Sequence, residues 1–234
     1  MQSLGNGGLA IVIGSSGGIG AAMQQALTGS GNFAEVMGFS RRSHPALDLL
    51  DEASIERAAR AAKDTGLELR LVVDTTGFLH GQGYGPEKSL SAIDPAHMAH
   101  AFAINAAGPA LLMKHFLPLL PRTGKSVFAT LSARVGSIGD NALGGWYSYR
   151  ASKAALNQFV HSAAIELRRR APEAVCVALH PGTVDTGLSG GFAKRGLEVR
   201  QPAEAAALLM DVIDGLSADQ SGGFFDYSGA PVPW

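Results

Sequence analysis

The sequence predicts an α/β fold built on a parallel sheet, and three observations carry that prediction. Leu9–Ile13 is a continuous apolar run, which suits a strand covered on both faces. The glycine-rich turn Gly14-Ser15-Ser16-Gly17-Gly18-Ile19-Gly20 follows at once and opens a helix-forming stretch, Ala21–Leu27. Further apolar runs, Leu69–Val73, Ser126–Leu131 and Val175–Leu179, alternate with helical segments along the chain.

The 234 residues, 46% hydrophobic and 17% charged, fit one compact domain over 1–234 with a sizeable core. A net charge of −1 gives no electrostatic case for nucleic acid or an anionic membrane as partner. The single Cys176, inside an apolar strand, reads as a buried structural thiol. The His residues show no paired metal-ligand spacing, so no metal is expected. The most apolar long stretch, Ala101–Leu120, is interrupted by Asn105, Lys114, His115 and two prolines, and reads as a buried helix. No basic, apolar and cleavage-site succession opens the sequence, so a cytoplasmic protein is the expectation.

In chain order, the first element is the glycine turn. Glycines let a backbone turn tightly and approach a pyrophosphate, and a helix N-terminus offers unpaired N–H groups and a positive dipole end. Glu35–Ser40 reads as the second strand. An enzyme taking NAD ends it with a carboxylate for the ribose 2′-hydroxyl, whereas here it ends in Ser40-Arg41-Arg42. Two guanidiniums at that place favour a 2′-phosphate, hence NADP over NAD, against the plainer reading of a solvated loop pair. Asp51 is placed to cap a helix over Glu52–Lys63. Leu69–Val73, the third strand, runs into Asp74-Thr75-Thr76-Gly77.

Asp94-Pro95 starts a long helix that runs to about Leu120, with a local break expected at Asn105 beside Gly108-Pro109. Ser132 follows the Ser126–Leu131 strand at its C-terminal end, where open parallel sheets place ligands. Next comes Tyr149-Arg150-Ala151-Ser152-Lys153. A Tyr and a Lys four apart share a helix face, and a nearby ammonium favours the ionised phenol, so the pair suits general acid–base work. The plain alternative is a surface pair with a solvated Lys. Tyr147 competes with Tyr149 but lies off the face that 149 and 153 share. The helix ends in Arg168-Arg169-Arg170, which suits its dipole and marks no nucleic-acid patch. After the Val175–Leu179 strand comes His180-Pro181-Gly182-Thr183-Val184-Asp185-Thr186. A glycine-rich stretch of weak periodicity, about 187–200, is expected to be a lid, followed by a helix over Pro202–Leu216 and a last strand in Gly222–Tyr227.

Glycine turn, Asn105, Ser132, Tyr149-x-x-x-Lys153 and Pro181-Gly182, in this order, resemble the short-chain dehydrogenase/reductase family over nearly the whole chain. Ser132–Asp140 and the ending Phe224-Phe225-Asp226-Tyr227…Pro233-Trp234 resemble the subgroup around the bacterial C-factor cell-signalling protein and the insect sniffer carbonyl reductases. The resemblance implies a doubly wound, Rossmann-like parallel sheet of about seven strands with helices on both faces. It implies NADP(H)-dependent hydride transfer between the nicotinamide and a small-molecule carbonyl or secondary alcohol. Ser132 would polarise the carbonyl, Tyr149 donate its proton, Lys153 lower the tyrosine pKa and bind the ribose, and Asn105 order a water in a proton relay. A buried structural Asn is the alternative at 105. Gly14, Ser15, Ser16, Gly18, Ile19, Gly20, Arg41, Arg42, Asp48, Leu49, Thr75 and Gly77 would hold the adenosine half and the pyrophosphate. Tyr149, Lys153, Pro181, Gly182, Val184 and Thr186 would hold the nicotinamide half. The family's usual Asn-Asn-Ala-Gly is replaced by Asp74-Thr75-Thr76-Gly77, and an insertion at about Asp140–Trp146 lengthens the Ser132–Tyr149 linker. The enoyl-reductase branch needs Tyr seven before the Lys, where this chain has Trp146, so enoyl reduction is not expected. Homodimers or homotetramers are common in the family. Two other readings stay open: an NADP-binding signalling protein whose main role is binding, and a different reaction on the same scaffold.

Overall fold

The computed structural model describes residues 1–188 and 198–234. Most of the lid expected at 187–200 lies outside the described residues. Strands β1 (Leu9–Ile13), β2 (Glu35–Phe39), β3 (Leu69–Asp74), β4 (Ser126–Leu131) and β5 (Ala174–His180) are joined by helices. These are α1 (Gly18–Ser30), α2 (Glu52–Asp64), α3 (Pro95–Phe102), α4 (Gly108–Phe116) and α5 (Tyr147–Arg170). The short strands β6 (Thr183–Val184) and β7 (Val199–Arg200), helix α6 (Pro202–Gly215) and strand β8 (Phe224–Asp226) complete the chain.

Among the described residues six strands form one sheet in the order β2-β1-β3-β4-β5-β8, every pairing parallel. This is the doubly wound fold, with six strands against an expected count of about seven; β6 and β7 pair apart from it. The pattern of the strands explains the layers. Leu9, Ile11 and Ile13 of β1 face one core, shared with Ile55 of α2, Leu112 and Phe116 of α4, and Leu156 and Val160 of α5. Ala10 and Val12 face the other, shared with Met23 and Leu27 of α1 and Leu209 and Ile213 of α6. Burying both faces explains why each inner strand reads as one apolar run and not an alternation. Cys176 lies inside this packing, and burial pushes its thiol up to about 12, as befits an inert core residue.

Two features position the site. The chain leaves β1 for β2 and returns to β3 on the other side of β1, so the C-terminal ends of β1 and β3 diverge there. A cleft opens where strand order reverses in this way. The long helix breaks as expected: α3 passes into α4 through a π turn over Ala103–Ala107, and Asn105 sits in its middle. No helix among the described residues is long and apolar enough to cross a membrane.

Candidate active site

A cavity of about 1060 Å³ runs across the C-terminal ends of the strands. At one end stands the glycine turn. Gly14 has φ +83, which only glycine adopts without strain, and its N–H donates to Phe39 O at 2.8 Å. A Cβ at Gly20 would lie 2.3 Å from Gly14 O and 2.6 Å from Thr75 Oγ1, so helix and turn meet there with no room for a side chain. The first turn of α1 has no side-chain cap and no acidic residue. Its residues Gly18, Ile19 and Gly20 line the cavity, and an uncapped helix start is a ready place for an anion.

The turn after β3 is tied down by the residues that depart from the family pattern. Thr75 Oγ1 donates to Ile13 O at 2.8 Å. Asp74, fully buried, accepts from Thr76 N at 3.0 Å, Thr76 Oγ1 at 2.6 Å and Thr130 Oγ1 at 2.7 Å. Burial raises the pKa of this carboxyl against those hydrogen bonds and the charge of Lys153. Asn105, also fully buried, pins the next residue: its Oδ1 accepts from Phe78 N at 2.7 Å, and its Nδ2 donates to Phe78 O at 2.8 Å and to Ser152 Oγ at 3.1 Å.

Ser132, Tyr149 and Lys153 all line the cavity. The Ser132 hydroxyl donates to Asn157 Oδ1 at 2.7 Å. The Lys153 ammonium, almost wholly buried, donates to Leu131 O at 2.7 Å. Burial lowers its pKa from 10.5 to about 8, and the nearby Asp74 charge works the other way. Burial also pushes the Tyr149 phenol above its ordinary 10. The lowering expected from Lys153 does not set the direction here: desolvation of the buried phenol does. Tyr149 sits in the first turns of α5, whose start is fixed from a distance. The buried Glu87 carboxylate accepts from Ser148 N at 3.2 Å and from Ser148 Oγ, and lies 3.3 Å from His97 Nδ1. The residue at the helix cap, Trp146, is left-handed (φ +53), and its ring meets Tyr149 edge-on at 6.2 Å.

Of the residues picked out from the sequence, the cavity wall takes Gly14, Ser16, Gly18, Ile19, Gly20, Arg41, Asp48, Leu49, Thr75, Gly77, Ser132, Tyr149, Lys153, Pro181, Gly182, Val184 and Thr186. Ser15, Arg42 and Asn105 are not on it; Arg42 is exposed, and Asn105 acts on the wall through Phe78. Asp51, weighed for the helix cap, does cap α2, accepting from Ala53 N. Trp146 is on the wall and Tyr147 is not. Gly17 and Thr76 line the cavity without having been singled out as binding residues, and Asn157 and Glu87 hold its key groups.

The family model described as enoyl-(acyl carrier protein) reductase matches residues 16–214. The chain belongs to the short-chain dehydrogenase/reductase family. Among its relatives in this family, the C-signal of Myxococcus xanthus is 42% identical over 148 residues, 62% of this chain and 84% of that protein. The 1-hydroxy-2-glutathionyl-2-methyl-3-butene dehydrogenase of Rhodococcus sp. (strain AD45) is 32% identical over 191 residues, 81% of this chain and 79% of that protein. Among solved structures, the NADPH-bound carbonyl reductase from chicken fatty liver superposes with a TM-score of 0.83 at 26% identity, covering 98% of this chain and 100% of that one. The carbonyl reductase Sniffer of Drosophila melanogaster shares the fold, with a TM-score of 0.81 at 22% identity over 97% of this chain and 99% of that one. The chain is therefore an oxidoreductase of this family, with a nicotinamide cofactor.

Proposed function

We propose that this short-chain dehydrogenase/reductase is NADP(H)-dependent and reduces a small-molecule carbonyl, or oxidises the corresponding secondary alcohol. The observation that carries the reading is the convergence of Ser132, Tyr149 and Lys153 on one cavity that continues to an uncapped helix N-terminus. That trough fits a dinucleotide. The α1 N–H groups would take the pyrophosphate, Arg41 at the cavity wall the 2′-phosphate, and Pro181–Thr186 the nicotinamide end. The likeness to the NADPH-bound carbonyl reductase from chicken fatty liver supports the same choice.

The bound cofactor supplies the hydride; the chain's residues handle the oxygen and its proton. Ser132 and Tyr149 approach the carbonyl oxygen, Ser132 by hydrogen bond and Tyr149 as proton donor. The raised phenol pKa keeps Tyr149 protonated at neutral pH, which is the form that reduction requires. Lys153, with a pKa of about 8, remains mostly charged at pH 7 and stabilises negative charge as the phenol gives up its proton. Asn105 has spent its carboxamide on Phe78 and Ser152, so its part is to hold the loop before the site, and a water relay would pass along its main chain. Trp146 stands seven before Lys153, so the chain lacks the tyrosine of enoyl reduction, and the wall offers Tyr149 alone of the two tyrosines nearby.

The similarity to C-signal favours one second reading, in which binding of NADP and not turnover is the main role. Assembly as a dimer or tetramer is part of the proposal, with the exposed Phe159 of α5 available to such a contact. The test is calorimetric titration with NADPH and NADH, followed by turnover against ketones, aldehydes and quinones. NADPH should bind more tightly and be oxidised with at least one carbonyl class. Tight NADPH binding with no turnover on any class would favour the binding role, and equal or tighter NADH binding would refute the cofactor choice.

A further inference from the structure

Ser132 Oγ is held by one side chain among the described residues, that of Asn157. Asn157 is four residues beyond Lys153 and eight beyond Tyr149, on the same face of α5, and is buried. As placed, the arrangement wastes two hydrogen-bonding groups. The Ser132 proton goes to Asn157 Oδ1 and so points away from a substrate, and Asn157 Nδ2 is buried with no partner. A hydroxyl has one proton to give. A carboxamide turned over exchanges its oxygen and nitrogen with almost no change of shape. Turned over, Nδ2 donates to Ser132 Oγ, and the serine proton is released toward the cavity. The atom left without a partner is then a carbonyl oxygen, which buried sites tolerate better than an orphaned N–H.

We propose that Asn157 is a positioning residue for the reaction: as donor to Ser132 Oγ it turns the serine proton onto the substrate carbonyl oxygen. The inference rests on the reading of Ser132 given above. The Ser132 N–H donates to Leu179 O at 2.8 Å, and the Lys153 ammonium to Leu131 O.

The test compares kcat, KM and NADPH affinity in Asn157→Ala, Asn157→Asp, Ser132→Ala and the double variant Ser132→Ala/Asn157→Ala, with the carbonyl that the wild type reduces fastest. Residual rates are read in single turnover with enzyme in excess. Asn157→Ala should cut kcat about tenfold, the worth of one oriented hydrogen bond, with NADPH affinity unchanged. In the Ser132→Ala background the same change should alter kcat by less than about twofold, because its partner is already gone. Asn157→Asp keeps the shape, but its carboxylate can only accept. It should lose more than Asn157→Ala at neutral pH and recover on acidification, when the protonated carboxyl can donate again. A structural role would lower kcat by the same factor in both backgrounds and leave the Asp variant's pH profile like wild type; either result overturns the proposal. If Ser132→Ala itself turns over like wild type, the reading of Ser132 fails. If Ser132→Ala is crippled and Asn157→Ala is not, the Asn157 assignment alone fails.

Discussion

Lys153→Met should stabilise the fold while removing a residue on which the proposed activity depends. The lysine carries a charge in a desolvated place, and the cost can be worked from its pKa. Its folded value of about 8 lies below its unfolded 10.5. At about 1.4 kcal/mol per pKa unit, that gap is a penalty of about 3 kcal/mol at pH 7. Methionine fills similar space without the charge, but Leu131 O loses its donor, which costs about 1 kcal/mol. The net gain is about 2 kcal/mol, or about 4–8 °C in Tm for a chain of this size. Between pH 8 and 10.5 the folded wild type binds fewer protons at this site than the unfolded chain, so its stability rises with pH through that window. The advantage of the Met variant should therefore be full below pH 8 and fade as pH climbs toward 10.5. Urea unfolding without added cofactor, run across that window for both proteins, measures it. A Met variant less stable than wild type at pH 7, or a difference that does not change with pH, would refute the reasoning.

Three further outcomes follow from the same geometry. Asp74→Asn should lower the Lys153 pKa further, because the carboxylate is the group that raises it; a lysine side-chain carbon NMR titration reads this without turnover, and an unchanged or higher value counts against it. Gly20→Ala, whose Cβ would lie 2.3 Å from Gly14 O, should open the glycine turn and weaken NADPH binding at least tenfold in calorimetry, whereas wild-type affinity would mean that this turn does not carry the pyrophosphate. Arg41→Asp should weaken NADPH binding by a few kcal/mol, and Arg42→Asp, off the cavity wall, by about 1 kcal/mol or less; the opposite order would move the 2′-phosphate to the second guanidinium.

The sheet was legible because both of its faces are buried. Leu9–Ile13 and Ser126–Leu131 appear in the sequence as apolar runs with the boundaries that the structure gives them. The break at Asn105 was legible for a local reason, the Gly-Pro that follows it. What escaped was set by contacts distant in sequence. Glu87 meets Ser148 across 61 positions, and nothing beside either residue announces the pair. The two arginines looked equivalent on paper, and only the turn after β2 puts Arg41 on the wall and leaves Arg42 outside. The phenol of Tyr149 was expected to be pulled down by its lysine, but the depth of burial, which helical spacing does not encode, pushes it the other way. Asn157 could have been found, since it continues the helix face of Tyr149 and Lys153 by one more turn.

The central claim is that Tyr149 hands a proton to a carbonyl oxygen as the nicotinamide gives up its hydride. Transfer of deuterium from nicotinamide-labelled NADPH to a carbonyl substrate, read by mass spectrometry of the alcohol, tests it directly. Wild type should place the label on the carbinol carbon. Tyr149→Phe, with NADPH affinity intact, should do so about 10² to 10⁴-fold more slowly, and Tyr147→Phe at close to the wild-type rate. Labelled alcohol formed as fast by Tyr149→Phe as by wild type would contradict the account.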